Sequence, residues 1–192
     1  MRRQNDFYPT ASALTEHLLA HVAVKGLVLE PCAGDGAIAR VLRRYRLGVE
    51  TCDIDAGHTP DHVLDMTRIQ SWQRFSPDWV ITNPPFSAAP QILPLALERA
   101  HAGVAFLLRL TYLEPAGNRA DWLQDQVDHM TRLIVFGQPR PAFRQGETNP
   151  LTGKPYTTDT ATTAWFVWQR RHSWKSMGVQ PPFGFITHWN GG

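Results

Sequence analysis

The sequence predicts an α/β fold with a mostly parallel sheet and helices on both faces, and three observations lead there. Short apolar runs alternate with stretches of helical spacing along most of the chain, the order that builds parallel sheets with right-handed crossovers. Gly103-Val104-Ala105-Phe106-Leu107-Leu108 is apolar without a break, as strands buried on both faces are. A turn carrying Gly34 and Gly36 joins the first apolar run to the next helical pattern. At 192 residues the chain reads as a single domain spanning 1–192, within the usual size of one folding unit.

Each element has its own signal. Leu14, Leu18, Leu19 and Val22 share one helical face, with Thr10 or Ser12 as the expected cap, since a short side-chain oxygen can take an orphan backbone N–H. Leu27-Val28-Leu29 is the first strand, and Ile38, Val41, Leu42 and Tyr45 mark the helix after the glycine turn. Val49 to Asp55 reads as the second strand, Val63-Leu64-Asp65-Met66 as the third, and Trp79-Val80-Ile81-Thr82 as the fourth. A helix through Ile92, Leu95, Ala96 and Ala100 leads to the long strand at Gly103. Trp122, Leu123, Val127 and Met130 give one more helix, then strand Leu133-Ile134-Val135-Phe136. A loop rich in Pro and Gly, 137–160, separates that strand from Ala164-Trp165-Phe166-Val167-Trp168. With no helix in that last connection, the final strand is expected to run antiparallel.

Composition narrows the function classes. Hydrophobic content of 43% with 19% charged residues is that of a globular protein rather than a disordered one. The net charge of +2 is too small to argue for nucleic acid by itself. Eight histidines show no metal-ligand spacing. Cys32 and Cys52 are the only cysteines and are expected to be reduced thiols in an intracellular, cytoplasmic protein. No apolar run reaches the roughly 20 residues of a membrane span, so no membrane role is expected.

Two stretches carry chemistry. Gly34, Gly36 and Ala39 follow a G-x-G-x-x-A pattern between strand and helix. Glycine lets backbone approach a ligand closely, and the helix start offers unpaired N–H groups. A turn that merely needs small residues would look the same. Asp53 follows by about 20 residues, where an acid at a strand end can hold ribose hydroxyls or simply cap a turn. The second stretch, Asn83-Pro84-Pro85-Phe86, leaves the fourth strand. Proline cannot donate to a ladder and fixes its own φ, so the pair ends the strand and stiffens the turn. Alone it is an ordinary Asn-Pro turn.

In this order, Leu29-Glu30-Pro31 into the glycine loop, Asp53, Asp65 and Asn83-Pro84-Pro85-Phe86 resemble a class I methyltransferase that uses S-adenosylmethionine. They are most similar to amino-methyltransferases of the DNA adenine-N6 type, over about residues 7–110. The resemblance implies a Rossmann-like methyltransferase fold, a seven-stranded sheet with an antiparallel last strand, and S-adenosylmethionine as cofactor. It implies that Thr10 touches the methionine end of the cofactor, and that Glu30, Cys32, Ala33, Gly34 and Gly36 shape the pocket there. Many relatives have Thr-Pro where this chain has Tyr8-Pro9-Thr10. Asp53 would hold the ribose, Ile54 would pack on the adenine, and Asp65 and Met66 would meet its amine and ring.

The implied catalytic residues are Asn83, Pro84, Pro85 and Phe86. The Asn83 side-chain oxygen and Pro84 carbonyl are acceptors for the two N–H bonds of an exocyclic amine. Positioning and electrostatics would then carry a direct in-line transfer, with no strong base. Phe86 would stack on a base drawn out of its helix. Phe143 would form a second wall or pack under its own loop, and Arg140, Arg144 and Lys154 would meet phosphates or stay solvated.

The expected partner is nucleic acid, DNA ahead of RNA. A separate target-recognition region is missing from the pattern, leaving the 137–160 loop and the tail from Pro181. A minimal bacterial or phage-type enzyme, with low sequence specificity or help from a homodimer, is the reading that follows. Its competitors are a guanine-N2 methyltransferase of ribosomal RNA, a protein glutamine methyltransferase, and a non-catalytic partner subunit.

Overall fold

The computed structural model describes residues 10–114, 119–137, 140–141, 148, 153–154, 161–182 and 184. The elements run α1 (Ser12–His21), β1 (Leu27–Glu30), α2 (Ala37–Arg44), β2 (Gly48–Asp53), β3 (His62–Val63), α3 (Ile69–Trp72), β4 (Trp79–Thr82), α4 (Ala89–Arg99), β5 (Gly103–Arg109), α5 (Arg119–Gln126), β6 (Met130–Val135) and β7 (Thr163–Gln169). They build one seven-stranded sheet in the order β3-β2-β1-β4-β5-β7-β6. The first five strands pair parallel, and β7 enters antiparallel between β5 and β6, the direction expected from the sequence.

Side-chain alternation decides which helix packs where. On one face Val28, Trp79, Ile81, Ala105, Leu107, Trp165 and Val167 meet Leu14 and Leu18 of α1 and Ile38 and Leu42 of α2. On the other, Leu29, Val80, Val104, Phe106, Phe166 and Trp168 meet Trp72 of α3 and Ile92, Leu93 and Ala96 of α4. A period of two with both faces covered is why β5 and β7 read as unbroken apolar runs. Each fully buried large side chain contributes about 1.5–3 kcal/mol. Trp165 does more than fill space, because its indole Nε1 donates to the Leu14 carbonyl at 2.7 Å and fastens α1 to the sheet.

Three expectations need correction. The α1 cap is Ala11, with no side-chain bond, and neither Thr10 nor Ser12 serves; the Thr10 hydroxyl is drawn instead toward the β4 turn. The third strand is only His62–Val63, which pair with Cys52 and Asp53, and it does not run on through Asp65, whose carboxylate turns to Thr67 and Arg68. Strand β6 starts at Met130, three residues ahead of its expected start and with an irregularity between Met130 and Arg132, so Met130 belongs to a strand and not to a helix face. The four residues of α3 are too few to show a period.

Candidate active site

The carboxyl ends of β1, β2 and β4 open onto a cavity of about 460 Å³, a size typical of small-molecule sites. Residues from five separate stretches line it. All of Thr10, Glu30, Cys32, Ala33, Gly34, Asp53, Ile54, Asp65, Met66, Asn83, Pro84, Pro85 and Phe86 do so. Gly36 is the one cofactor-loop expectation outside the lining; it caps α2 in the left-handed region, at φ 74°. Gly34 also has positive φ, 52°, a conformation glycine reaches without the penalty other residues carry.

Short-range hydrogen bonds set the loop. The Ala33 N–H donates to the Cys52 carbonyl at 2.9 Å, extending the β1–β2 seam past the strand end. The Asp53 carboxylate then ties two turns together. One oxygen accepts from the Gly34 N–H at 2.7 Å and the other from the Asp55 N–H at 2.8 Å. Beneath the loop, Glu30 is buried, and its Oε2 has no hydrogen-bond partner. Burial pushes the Glu30 carboxyl well above the usual carboxylate range, against the opposing pull of the Ala39 N–H. Burial likewise raises the Cys32 thiol and pushes Cys52 up to about 12. Neither is in a disulfide.

At the far wall, Ile54 is 61% exposed beside the cavity while Met66 is buried, giving two apolar surfaces. The Asp65 carboxylate accepts from the Thr67 hydroxyl at 2.6 Å, the Thr67 N–H at 3.0 Å and Arg68 Nε at 3.0 Å. The Thr67 hydroxyl is the largest of the influences that hold its pKa below the ordinary value. Trp72 Nε1 donates to the Met66 carbonyl at 2.9 Å and fixes that wall from below.

The β4 turn supplies the remaining side. Asn83 Nδ2 donates to Thr10 Oγ1 at 3.1 Å. An amide nitrogen committed in that way points its oxygen the other way, as an acceptor. The two prolines have different roles. The Pro85 carbonyl accepts from the N–H groups of Ala88 and Ala89 and so starts α4, whereas the buried Pro84 carbonyl accepts no hydrogen bond from the described residues. The Arg109 guanidinium lies over the Phe86 ring, with Cζ 4.4 Å from the centroid.

Arg140 is half-buried and bonded through Nε to Thr162 Oγ1 at 3.1 Å, beside the end of β5. Lys154 is exposed, and Phe143 and Arg144 lie outside the described residues. Sequence reasoning missed Arg109, although a lone cation ending an apolar strand was the signal available. It also missed Asp55 and His58, which line the cavity from the turn after β2. Among the described residues no group of His, Cys, Asp and Glu could hold a metal ion, and no helix is long and apolar enough to cross a membrane.

No family model and no curated protein matches the sequence. Solved structures do. The M protein of the type I restriction enzyme EcoKI is similar with a TM-score of 0.64 at 15% identity, over 84% of this chain and 44% of its own. A protein from Listeria monocytogenes described as a class I S-adenosylmethionine-dependent methyltransferase is similar with a TM-score of 0.57 at 11% identity, over 97% of this chain and 66% of its own. The fold is that of the class I methyltransferases. Magnesium protoporphyrin IX methyltransferase from Synechocystis PCC 6803, solved with bound SAM, shares this methyltransferase fold with a TM-score of 0.54 at 14% identity, over 82% of this chain and 76% of its own. The chain thus spans less than half the length of the EcoKI M protein. Within the methyltransferase fold, the cavity sits outside the carboxyl ends of the parallel strands, where open α/β sheets bind ligands.

Proposed function

We propose that the protein is an S-adenosylmethionine-dependent methyltransferase acting on the exocyclic amine of a nucleic-acid base, adenine N6 in DNA first. One observation carries the reading. A single continuous cavity joins the glycine loop and Asp53 to the acceptors of the β4 turn, Asn83 and Pro84. The lining suits the cofactor: a buried Glu30 oxygen without a partner answers a cationic amine, Asp53 a ribose, and the apolar Ile54 and Met66 an adenine ring. When bound, S-adenosylmethionine supplies a methyl group on a sulfonium, already electrophilic.

The chain's own residues would then prepare the nucleophile. An aromatic amine is unreactive because its lone pair is delocalised into the ring. Asn83 Oδ1 and the Pro84 carbonyl would accept its two N–H bonds and hold the nitrogen pyramidal, lone pair toward the cofactor. Thr10 fixes the rotamer of Asn83 through the amide nitrogen. The ring of Phe86 gives the base a surface to stack on, worth roughly 1–3 kcal/mol.

The test is labelled methyl transfer to duplex DNA, single-stranded DNA, structured RNA and a protein extract in parallel, with mass spectrometry of the digested products. Label on adenine in DNA is the expected result. Label on guanine in RNA or on a protein glutamine would keep the cofactor and replace the acceptor. No label in any arm, with no cofactor binding by calorimetry, would favour a non-catalytic subunit.

A further inference from the structure

Arg109 ends β5 next to the catalytic turn of β4. Thr82 pairs with Phe106 across the β4–β5 seam, so both chains pass the sheet edge together. The guanidinium is half-buried over Phe86, with Cζ 4.4 Å from the ring centroid. Its neighbours Arg119 and Arg140 are committed, Arg119 to the Glu114 carbonyl at 2.6 and 3.0 Å and Arg140 to Thr162 Oγ1 at 3.1 Å. Among the described residues the Arg109 guanidinium makes no hydrogen bond or ion pair, and its contact there is with the Phe86 ring. A partly desolvated cation without an anion is costly unless a ligand supplies one. A guanidinium lying over a ring keeps its five N–H donors in its own plane, where a phosphate can take two of them.

Building on the acceptor reading above, we propose that Arg109 binds the backbone phosphodiester flanking the base presented to Asn83. The Phe86 ring holds the cation in register with that base, so the pair selects a nucleotide within a phosphodiester chain over a neutral amide. Cation and aromatic group side by side match the two parts of a nucleotide, its charged backbone and its flat base.

The experiment compares wild type, Arg109→Met and Arg109→Lys on single-stranded and duplex DNA oligonucleotides, measuring KM and kcat over a range of salt. Expected for Arg109→Met is a KM raised about tenfold, a smaller fall in kcat, and a salt slope reduced by about one. Cofactor affinity by calorimetry stays at the wild-type value. Arg109→Lys keeps the salt slope, since it keeps the charge, and recovers part of KM. Neutral methylphosphonate at one position beside the methylated base should raise KM for wild type and leave Arg109→Met unchanged. An unchanged KM and salt slope in Arg109→Met would overturn the proposal while leaving the acceptor reading intact. A wild-type enzyme that labels protein and no oligonucleotide would overturn both.

Discussion

The loop side and the β4–β5 side of the cleft differ in how their polar groups are committed. On the loop side, Asp53, Asp55 and Asp65 spend their oxygens on N–H and hydroxyl groups no farther along the chain than Gly34 is from Asp53. The side arrives rigid, and a ligand meets preset dipoles. On the other side, the Pro84 carbonyl and the Arg109 guanidinium make no hydrogen bond within the described residues. The side-chain bond that braces the turn bridges a long separation, as Thr10 reaches Asn83. A cofactor common to many reactions suits a prebuilt pocket. An acceptor that must enter and leave suits polar groups left open for it.

The division predicts that damage on the two sides separates cleanly. Asn83→Ala should cost the most, at least about a hundredfold in kcat, with cofactor affinity unchanged by calorimetry; a variant that still transfers at the wild-type rate breaks the division. Asp53→Ala should do the reverse, weakening cofactor binding by roughly tenfold to a hundredfold through loss of charge-assisted bonds. Phe86→Ala should raise KM for nucleic acid by about tenfold, stacking being its contribution. Thr10→Val should lower kcat only about fivefold, since it removes one neutral hydrogen bond that orients Asn83.

The smallest effect is read in stability. Glu30 has a raised pKa in the fold, so its contribution is fully present below the ordinary glutamate value and is lost as pH rises through the raised one. Thermal melts of wild type should therefore fall with rising pH across that window, and Glu30→Gln should flatten the slope. Equal slopes in both proteins would mean that the carboxyl is not the source.

The same contrast explains what could be read in advance. The loop side is local in sequence, so its strands, glycines and acids announce themselves through spacing. The Asn-Pro-Pro-Phe turn was legible because two prolines leave few backbone choices. Thr10 on Asn83, Arg109 on Phe86 and Trp165 on Leu14 were not legible, because no period in the sequence records a contact between distant elements. Strand β3 failed for a related reason: its apolar residues continue past Val63, but the carboxylate of Asp65 offers the backbone a better local partner than a ladder does.

The antiparallel insertion of β7 has a consequence for synthesis. Everything on the loop side is encoded before Thr82, so that half can take shape while the chain is still growing. Strand β5 must wait with one edge unpaired until Thr163–Gln169 has been made. During that interval an apolar edge of seven residues stands open to other chains, a standing invitation to aggregate. Chains arrested short of Thr163 should therefore be the sticky ones, and release through Gln169 should end the risk.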